Sequence, residues 1–363
     1  MDVTVESKEN LGIFLNKNKA IRYVCFYVKC LMVLLNKNKF GASLVKTVNN
    51  NFDSVKEKCN LNRLMFDLLK YKYIFGFSYK EYFLYDFVNK SKQERMKYLG
   101  NYERHFDVEK IIDRETEHIF SDKFNTYQNF QPFYKRQVIK VGKDDFDAFC
   151  EFVNLHKKVI AKPLCTSQGA GIRIIENGDK RLMFALFNQM IQISDFYVLE
   201  EIVIQDEKMS AFHPQSVNTV RFVTYYKDNI RQDIFACVRI GMDSSVVDNF
   251  SAGGIGAVID VKTGKIVTPA HRKLKNSKEV YEIHPETKVK ILNAQIPYWN
   301  ELLDIVEKIV KVVPQQSLVG WDFACTDKGW VLIEANLSPG FSICQMCGIG
   351  LREKFDIIKK DSL

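Results

Sequence analysis

Near the C-terminal end of the chain two apolar runs, Leu318-Val319-Gly320-Trp321-Asp322-Phe323-Ala324-Cys325 and Val331-Leu332-Ile333-Glu334-Ala335-Asn336-Leu337-Ser338-Pro339-Gly340, flank the turn Thr326-Asp327-Lys328-Gly329-Trp330. Two such runs around a short polar segment containing glycine read as a β-hairpin. A three-residue loop, Asp327-Lys328-Gly329 with Gly329 left-handed, sets Thr326 opposite Trp330 and Asp322 opposite Glu334. Directly opposed Cβ atoms lie about 4.5–5.5 Å apart, where two like charges destabilise the pair. Asn336 falls on the same face as Glu334, so two carboxylates and an amide oxygen collect there. That donor set suits Mg2+ or Mn2+. A slipped register, with Glu334 in a surface salt bridge, is the competing reading.

The rest of the chain bounds what this hairpin serves. Its 363 residues allow two or three domains. No apolar run reaches the length of a membrane span, since Tyr23 to Leu35 is short and contains Lys29. The polar start, Met1 to Asn10, carries no secretory cleavage pattern. Nine scattered cysteines read as reduced thiols, which points to a cytoplasmic protein. Cys344 and Cys347 form a lone Cys-x-x-Cys, a poor zinc site without a second pair. Residues 1–110 hold 20 Lys+Arg against 12 Asp+Glu and so carry the whole net charge of +8.

That N-terminal part reads as helical. Apolar residues recur at helical spacing through Ile21, Val24, Val28, Leu31 and Leu35, and again through Leu61, Leu64, Met65, Leu68 and Leu69. Ser78 with Glu81 and Ser91 with Glu94 have the spacing of capping boxes. The dispersed lysines favour a solvated helical cap with an aromatic core over a polyanion-binding surface. No nucleic-acid motif is present, while a peripheral contact with a membrane or a glycosyltransferase is left open.

Further on, residues suited to a polyphosphate follow one another. Lys123 precedes an aromatic segment. Lys162 ends the strand-like Val159-Ile160-Ala161-Lys162-Pro163, and Cys165 to Gly171 form a small-residue loop with Ser167, Gln168, Gly169 and Gly171. Glycines there permit tight turns and close backbone approach to phosphates, although the order is not that of a P-loop. Glu200-Glu201-Ile202 closes another apolar strand, and Arg221 and Arg239 stand among strand apolars, where a guanidinium requires an anion. Asp248-Asn249-Phe250-Ser251-Ala252-Gly253-Gly254 is a polar glycine-rich loop.

Together these motifs resemble the ATP-grasp superfamily, which includes D-alanine–D-alanine ligase and glutathione synthetase, and within it the sugar-transfer-associated branch. The resemblance runs from the Ser78 region to about Gly350. It implies an α+β ATP-grasp fold, two α+β subdomains clasping ATP, behind a mainly helical N-terminal region. The spans are then 1–120 for the basic helical region, 121–200 for the small subdomain with its lead-in, 201–350 for the metal- and substrate-binding subdomain, and 351–363 for a basic helical tail.

By the same resemblance the cofactors are ATP and Mg2+, with two ions held by Asp322, Glu334 and Asn336 and Mn2+ as a substitute. Lys123, Lys162, Ser167, Gln168, Gly169 and Gly171 would cradle the phosphates. Glu200 or Glu201, with Ile202, would meet adenine; Gln205, Glu207 or Lys208 the ribose; Asn218 also belongs to the nucleotide set. Arg221 and Arg239 would stabilise the transferred phosphoryl group. Asp248, Asn249, Ser251, Gly253, Gly254, Ser338 and Gly340 would line the substrate site. Gly320 stands where D-alanine–D-alanine ligase has an Arg, which argues against that particular activity. The implied reaction joins a carboxylate and an amine, small molecules or parts of a surface glycan such as a uronic acid. A sugar-hydroxyl kinase and an inactive nucleotide-binding adaptor are the alternatives. His213 and His271 read as structural or substrate-contacting.

Overall fold

The computed structural model of the chain describes residues 19–36, 39, 41–51, 55–164, 171–243, 253–273 and 278–362. Ser167, Gln168, Gly169, Asp248, Asn249 and Ser251 lie outside the described residues. The chain divides into two units, one built from residues 1–111, 271–280 and 340–363, the other from 112–270 and 281–339. Where the sequence suggests contiguous spans, the first unit gathers three separate ones, and polar anchors account for this. Gln345 exchanges two hydrogen bonds with the backbone of Leu99, at 2.6 and 2.8 Å, and Arg352 pairs with Glu103 through two bonds of 2.7 and 2.8 Å.

The first unit is mainly helical, with helices Lys19–Leu35, Ala42–Asn51, Leu61–Tyr73, Tyr79–Leu84, Lys92–Arg95, Asn101–Ile111, Ser342–Met346 and Arg352–Ser362. Both expected capping boxes are present, each satisfying two helix-end donors reciprocally. The aromatics are core: Phe87 packs against Tyr71, Phe77, Tyr82, Tyr85 and Tyr98 with ring centroids 5.0–5.9 Å away.

Helix Lys19–Leu35 departs from its expected orientation. Val24, Val28, Leu31 and Leu35 are exposed, whereas Phe26 and Val33 are buried. Arg22 and Lys29, charged residues seven apart, lie half-buried on the side that carries Phe26 and Val33, so the apolar stripe is the exposed one. Packing selects the inward face through the large ring of Phe26, set edge-on to Phe66 at 5.1 Å.

The second unit carries two antiparallel sheets. In the smaller, β1 (Val138–Gly142), β2 (Lys158–Pro163), β3 (Arg173–Glu176) and β4 (Phe196–Glu201) run in the order β1-β4-β2-β3. Val141, Val159, Ala161, Ile175, Tyr197 and Leu199 share one face and bury it against helices Phe146–His156 and Lys180–Ile193. Strand alternation therefore turns Lys162, Val198 and Glu200 to the opposite face. The larger sheet contains β5 (Thr219–Lys227), β6 (Ile230–Ile240) and β7 (Ile255–Ile259). After the short strands β8 (Ala270–Lys273) and β9 (Lys278–Tyr281) come β10 (Leu318–Thr326) and β11 (Gly329–Asn336). Five strands run in the order β11-β10-β5-β6-β7, with Trp321, Phe323, Phe222, Val220 and Trp299 in the core beneath.

Candidate functional site

The β10–β11 hairpin holds one correction and one agreement with its sequence. Thr326 pairs with Gly329, so the loop has two residues, Asp327 and Lys328, not three. Gly329 does have positive φ, +84°. A two-residue loop alone would set Asp322 opposite Ile333. Instead the register shifts between Asp322 and Phe323, Ile333 becomes the extra residue of a bulge, and Asp322 again faces Glu334. The shorter turn and the bulge cancel.

Next to this pair on β5 stands Arg221, directly opposite Asp322. Its guanidinium grips the Asp322 carboxylate in bidentate fashion, Nη2 to Oδ2 at 2.7 Å and Nε to Oδ1. Arg239, one strand further, adds a contact of 2.9 Å to Oδ2 and donates to Thr219 Oγ1 at 2.8 and 2.9 Å. Both arginines thus have the Asp322 carboxylate as partner. Burial raises the Asp322 carboxyl, but the two guanidinium charges outweigh it and the net shift is downward. Glu334 moves the other way: the protein walls around it and the neighbouring Asp322 charge raise its pKa, although its side chain reaches solvent. Asn336 keeps an unpartnered buried amide nitrogen, Nδ2, which an amide flip replaces with an oxygen.

Those observations test whether divalent cations fit. A carboxylate whose charge is disfavoured by its neighbour, an opposed second carboxylate and an amide with unused capacity share one sheet face, and all are hard oxygen donors. They fit Mg2+ with phosphate oxygens completing the shell. Among the described residues no group of three His, Cys, Asp or Glu side chains converges to hold a metal alone. Gly320, two residues before Asp322, has its own reason: a Cβ there would lie 2.6 Å from Cβ of Pro339, so no larger side chain fits.

A second cluster lies on the inner face of the small sheet. Lys162 faces Val198 and Glu200 faces Ile160, which makes Lys162 and Glu200 diagonal neighbours. Nζ of Lys162 is 2.6 Å from Oε1 of Glu200. Arg136, two residues before β1, reaches Oε2 with Nη2 at 2.5 Å and Nε at 2.9 Å, and donates to the Leu332 carbonyl at 2.7 Å. Burial would raise the Glu200 pKa; the Lys162 and Arg136 charges reverse this and bring it down to about 2. The Lys162 charge also acts on Glu334, lowering its pKa against the larger upward influences.

Lys123 converges on the same place, donating to the carbonyls of Pro163 and Leu164 at 3.2 and 3.4 Å. Its position follows from Asp122, whose side chain caps helix Lys123–Tyr134 by accepting from the backbone of Phe124 and Asn125. Gly171, with φ of +77°, closes the β2–β3 connection so near Pro163 that a Cβ would lie 2.8 Å from the proline ring.

Other expected residues stand elsewhere. Glu201 is partly exposed and pairs with Lys328 at 3.0 Å, beside Ile202. Glu207 is exposed in the first turn of helix Glu207–Ser210. Asn218 is fully buried: its Nδ2 donates to Gln205 Oε1, Met209 O and His213 O, and its Oδ1 accepts from Gly241 N. With its amide engaged inside the protein it ties the β5–β6 end together. Gln205 is tied to Asn218 in turn. His213 is structural, bonded to Ser216 and to the Asp243 carbonyl. Gly254 is buried, Gly253 half-buried with φ of +112°, and Ser338 and Gly340 are exposed. Sequence reading missed Arg136, whose only signal is a charged residue just before an apolar strand.

The family description for sugar-transfer associated ATP-grasp proteins matches residues 104–360, well over half of the chain. The chain belongs to this ATP-grasp family. No curated protein matches it. Among solved structures, this ATP-grasp chain is similar to D-alanyl-alanine synthetase A from Vibrio cholerae O1 biovar eltor str. N16961, with 9% identity, TM-score 0.45 and coverage of 68% of this chain and 66% of that one. It is also similar to D-alanine–D-alanine ligase from Helicobacter pylori, with 13% identity, TM-score 0.43 and coverage of 69% and 63%. For the ATP-grasp ligase PsnB complexed with minimal precursor the figures are 12%, 0.41, 69% and 63%. The chain thus spans about two thirds or less of the length of these three structures, and family membership rests on the 104–360 match alone.

Proposed function

We propose that this ATP-grasp protein is an ATP- and Mg2+-dependent carboxylate–amine ligase acting through an acyl-phosphate, with a surface-glycan component such as a uronic acid as carboxylate. The observation that carries the reading is the opposed pair Asp322–Glu334 with Asn336 on its face and three cationic side chains, Arg221, Arg239 and Lys162, acting on it. Phosphoryl transfer requires positioning and charge stabilisation more than covalent help from the protein. Lys123 and Lys162 hold the α- and β-phosphates, and Glu200 with Arg136 fixes the direction of Lys162. Glu201 and the backbone of Ile202 take the adenine edge, since Glu200 is already spent. Mg2+ bound by Asp322, Glu334 and Asn336 would neutralise the β- and γ-phosphate oxygens.

The substrate carboxylate oxygen attacks the γ-phosphorus, the bond from that phosphorus to the β–γ bridging oxygen breaks, and ADP leaves. Arg221 and Arg239 share their charge between Asp322 and the phosphoryl group in flight. The amine nitrogen then attacks the acyl carbon, the carbon–oxygen bond to phosphate breaks, and the amine proton passes to solvent as inorganic phosphate departs. The glycan assignment draws only on the sugar-transfer association of the family. Purified protein with Mg-ATP and a panel of carboxylates and amines tests the reading. ADP release that requires both partners, with an amide product of the expected mass, supports it. ADP formed with a hydroxyl acceptor and no amine shows a kinase instead, and ATP binding without turnover under any acceptor shows an adaptor.

A further inference from the structure

The outward side of helix Lys19–Leu35 is apolar without interruption. At about 100° per residue, Val24, Tyr27, Val28, Leu31, Leu34 and Leu35 fall within an arc of about 120°, and each is 50–75% exposed. Single apolar residues on a surface are ordinary, but six large ones side by side along about three turns mark a surface that meets something. The helix holds to the first unit by its other side, where Phe26 and Val33 are buried and Arg22 donates to the Ile74 carbonyl at 3.3 Å. Its 17 residues reach about 25 Å, short of the roughly 30 Å of a bilayer's hydrocarbon core, and include Arg22 and Lys29. As a membrane span it is too short and too charged.

Charge selects the occupant. Residues 11–51 hold seven Lys+Arg and no Asp or Glu, and residues 11–73 hold 12 against 3. Of those three acids, Asp67 is held by Arg95 at 2.6 Å, while Asp53 and Glu57 follow helix Ala42–Asn51 in the chain. Lys17 and Lys19 precede the apolar stripe, Lys37 and Lys39 follow it, and Lys39 and Lys46 are exposed. The lysines alone would make an ordinary solvated surface. Beside an unbroken apolar face they complement an anionic one, because apolar burial and attraction to headgroups act together where either alone binds weakly. A second copy of the chain is the wrong complement, since an isologous pair would bring this excess of positive charge against itself. We infer that helix Lys19–Leu35 lies in the plane of an anionic lipid surface, with Val24, Val28, Leu31 and Leu35 against the outer acyl carbons and the neighbouring lysines among the headgroups.

Vesicle binding needs no nucleotide and is read apart from turnover. The full chain is sedimented with vesicles of phosphatidylcholine alone and of phosphatidylcholine with phosphatidylglycerol in equal parts. It is expected to bind the anionic vesicles at least about tenfold more tightly than the neutral ones, and to lose most of that difference in about 1 M KCl, where the Debye length is about 3 Å. Leu31→Gln with Leu35→Gln, at exposed helical positions where glutamine suits the backbone, should weaken binding at least about tenfold and leave the melting temperature unchanged or higher. Lys39→Gln with Lys46→Gln should weaken binding to anionic vesicles several-fold and leave binding to neutral ones as it was. In a Tyr27→Trp variant, lipids brominated on their acyl chains should quench emission beyond what they do to the unaltered chain. The inference is overturned if the chain stays in the supernatant with anionic vesicles, if the leucine pair leaves the affinity within twofold, or if Tyr27→Trp brings no added quenching. Dimers that form at micromolar concentration and dissociate in the leucine variant, with no vesicle binding, overturn it in favour of a second copy on this face.

Discussion

Glu200 offers the sharpest test of how the nucleotide side of the site is held. Its carboxylate is buried between Lys162 at 2.6 Å and Arg136 at 2.5 Å, and its pKa falls from 4.5 to about 2. At about 1.36 kcal/mol for each pKa unit, the shift corresponds to about 3 kcal/mol of folding stability at neutral pH. Removing one partner of a buried ion pair costs a similar amount, about 3–5 kcal/mol, because the remaining charges are stranded.

Glu200→Gln keeps the shape and one acceptor but cannot balance two cations. Urea unfolding at pH 7 should therefore show a loss of about 3 kcal/mol. The pKa is depressed in the folded state, so the stabilisation is fully present above about 4.5, and it disappears as pH falls through about 2. The gap between wild type and variant must narrow accordingly on acidification. ATP affinity, followed by titration at pH 7, should fall as well, since Lys162 loses the contact that orients it. A variant within about 1 kcal/mol of wild type at pH 7, or a gap that does not narrow in acid, would refute the claim that this triad is balanced by Glu200.

Three other perturbations address separate parts of the structure. Glu334→Gln removes a carboxylate whose pKa is raised, so its charge opposes folding at neutral pH; the melting temperature should hold or rise while Mg-ATP turnover falls at least about 100-fold, and a fall in both would show a structural residue. Gly320→Ala places a Cβ 2.6 Å from Pro339 and should cost about 1–3 kcal/mol in unfolding experiments, with unchanged stability counting against the packing explanation. Asn218→Ala strands buried hydrogen-bonding groups on Gln205, Met209, His213 and Gly241 and should cost about 2–4 kcal/mol; a loss of ATP affinity in the folded protein without this loss of stability would show a nucleotide contact instead of a structural one.

The N-terminal capping boxes were legible because they depend on residues three apart, and the backbone between them has little freedom to do otherwise. The facing of Asp322 and Glu334 was legible for a weaker reason. Its derivation assumed a three-residue turn, and the pairing survived because the bulge at Ile333 replaced the residue that the turn does not use. The inward side of helix Lys19–Leu35 was misread, since its periodic apolar stripe of Val24, Val28, Leu31 and Leu35 is exposed while the side of Arg22, Phe26, Lys29 and Val33 packs inward.

By itself the sequence determined which residue types recur in which order: lysine before a glycine loop, paired glutamates ending a strand, arginines among strand apolars, and the Asp322, Glu334, Asn336 set. Strand alternation is local, so it also determined that Glu334 and Asn336 share a face. Tertiary structure alone decided who meets whom across strands. It gave Arg221 and Arg239 the Asp322 carboxylate, set Arg136 against Glu200 over 64 residues of chain, and closed the amide of Asn218 inside the fold. Such partnerships depend on register and on which charges are driven from water together, and neither quantity is written in any one segment.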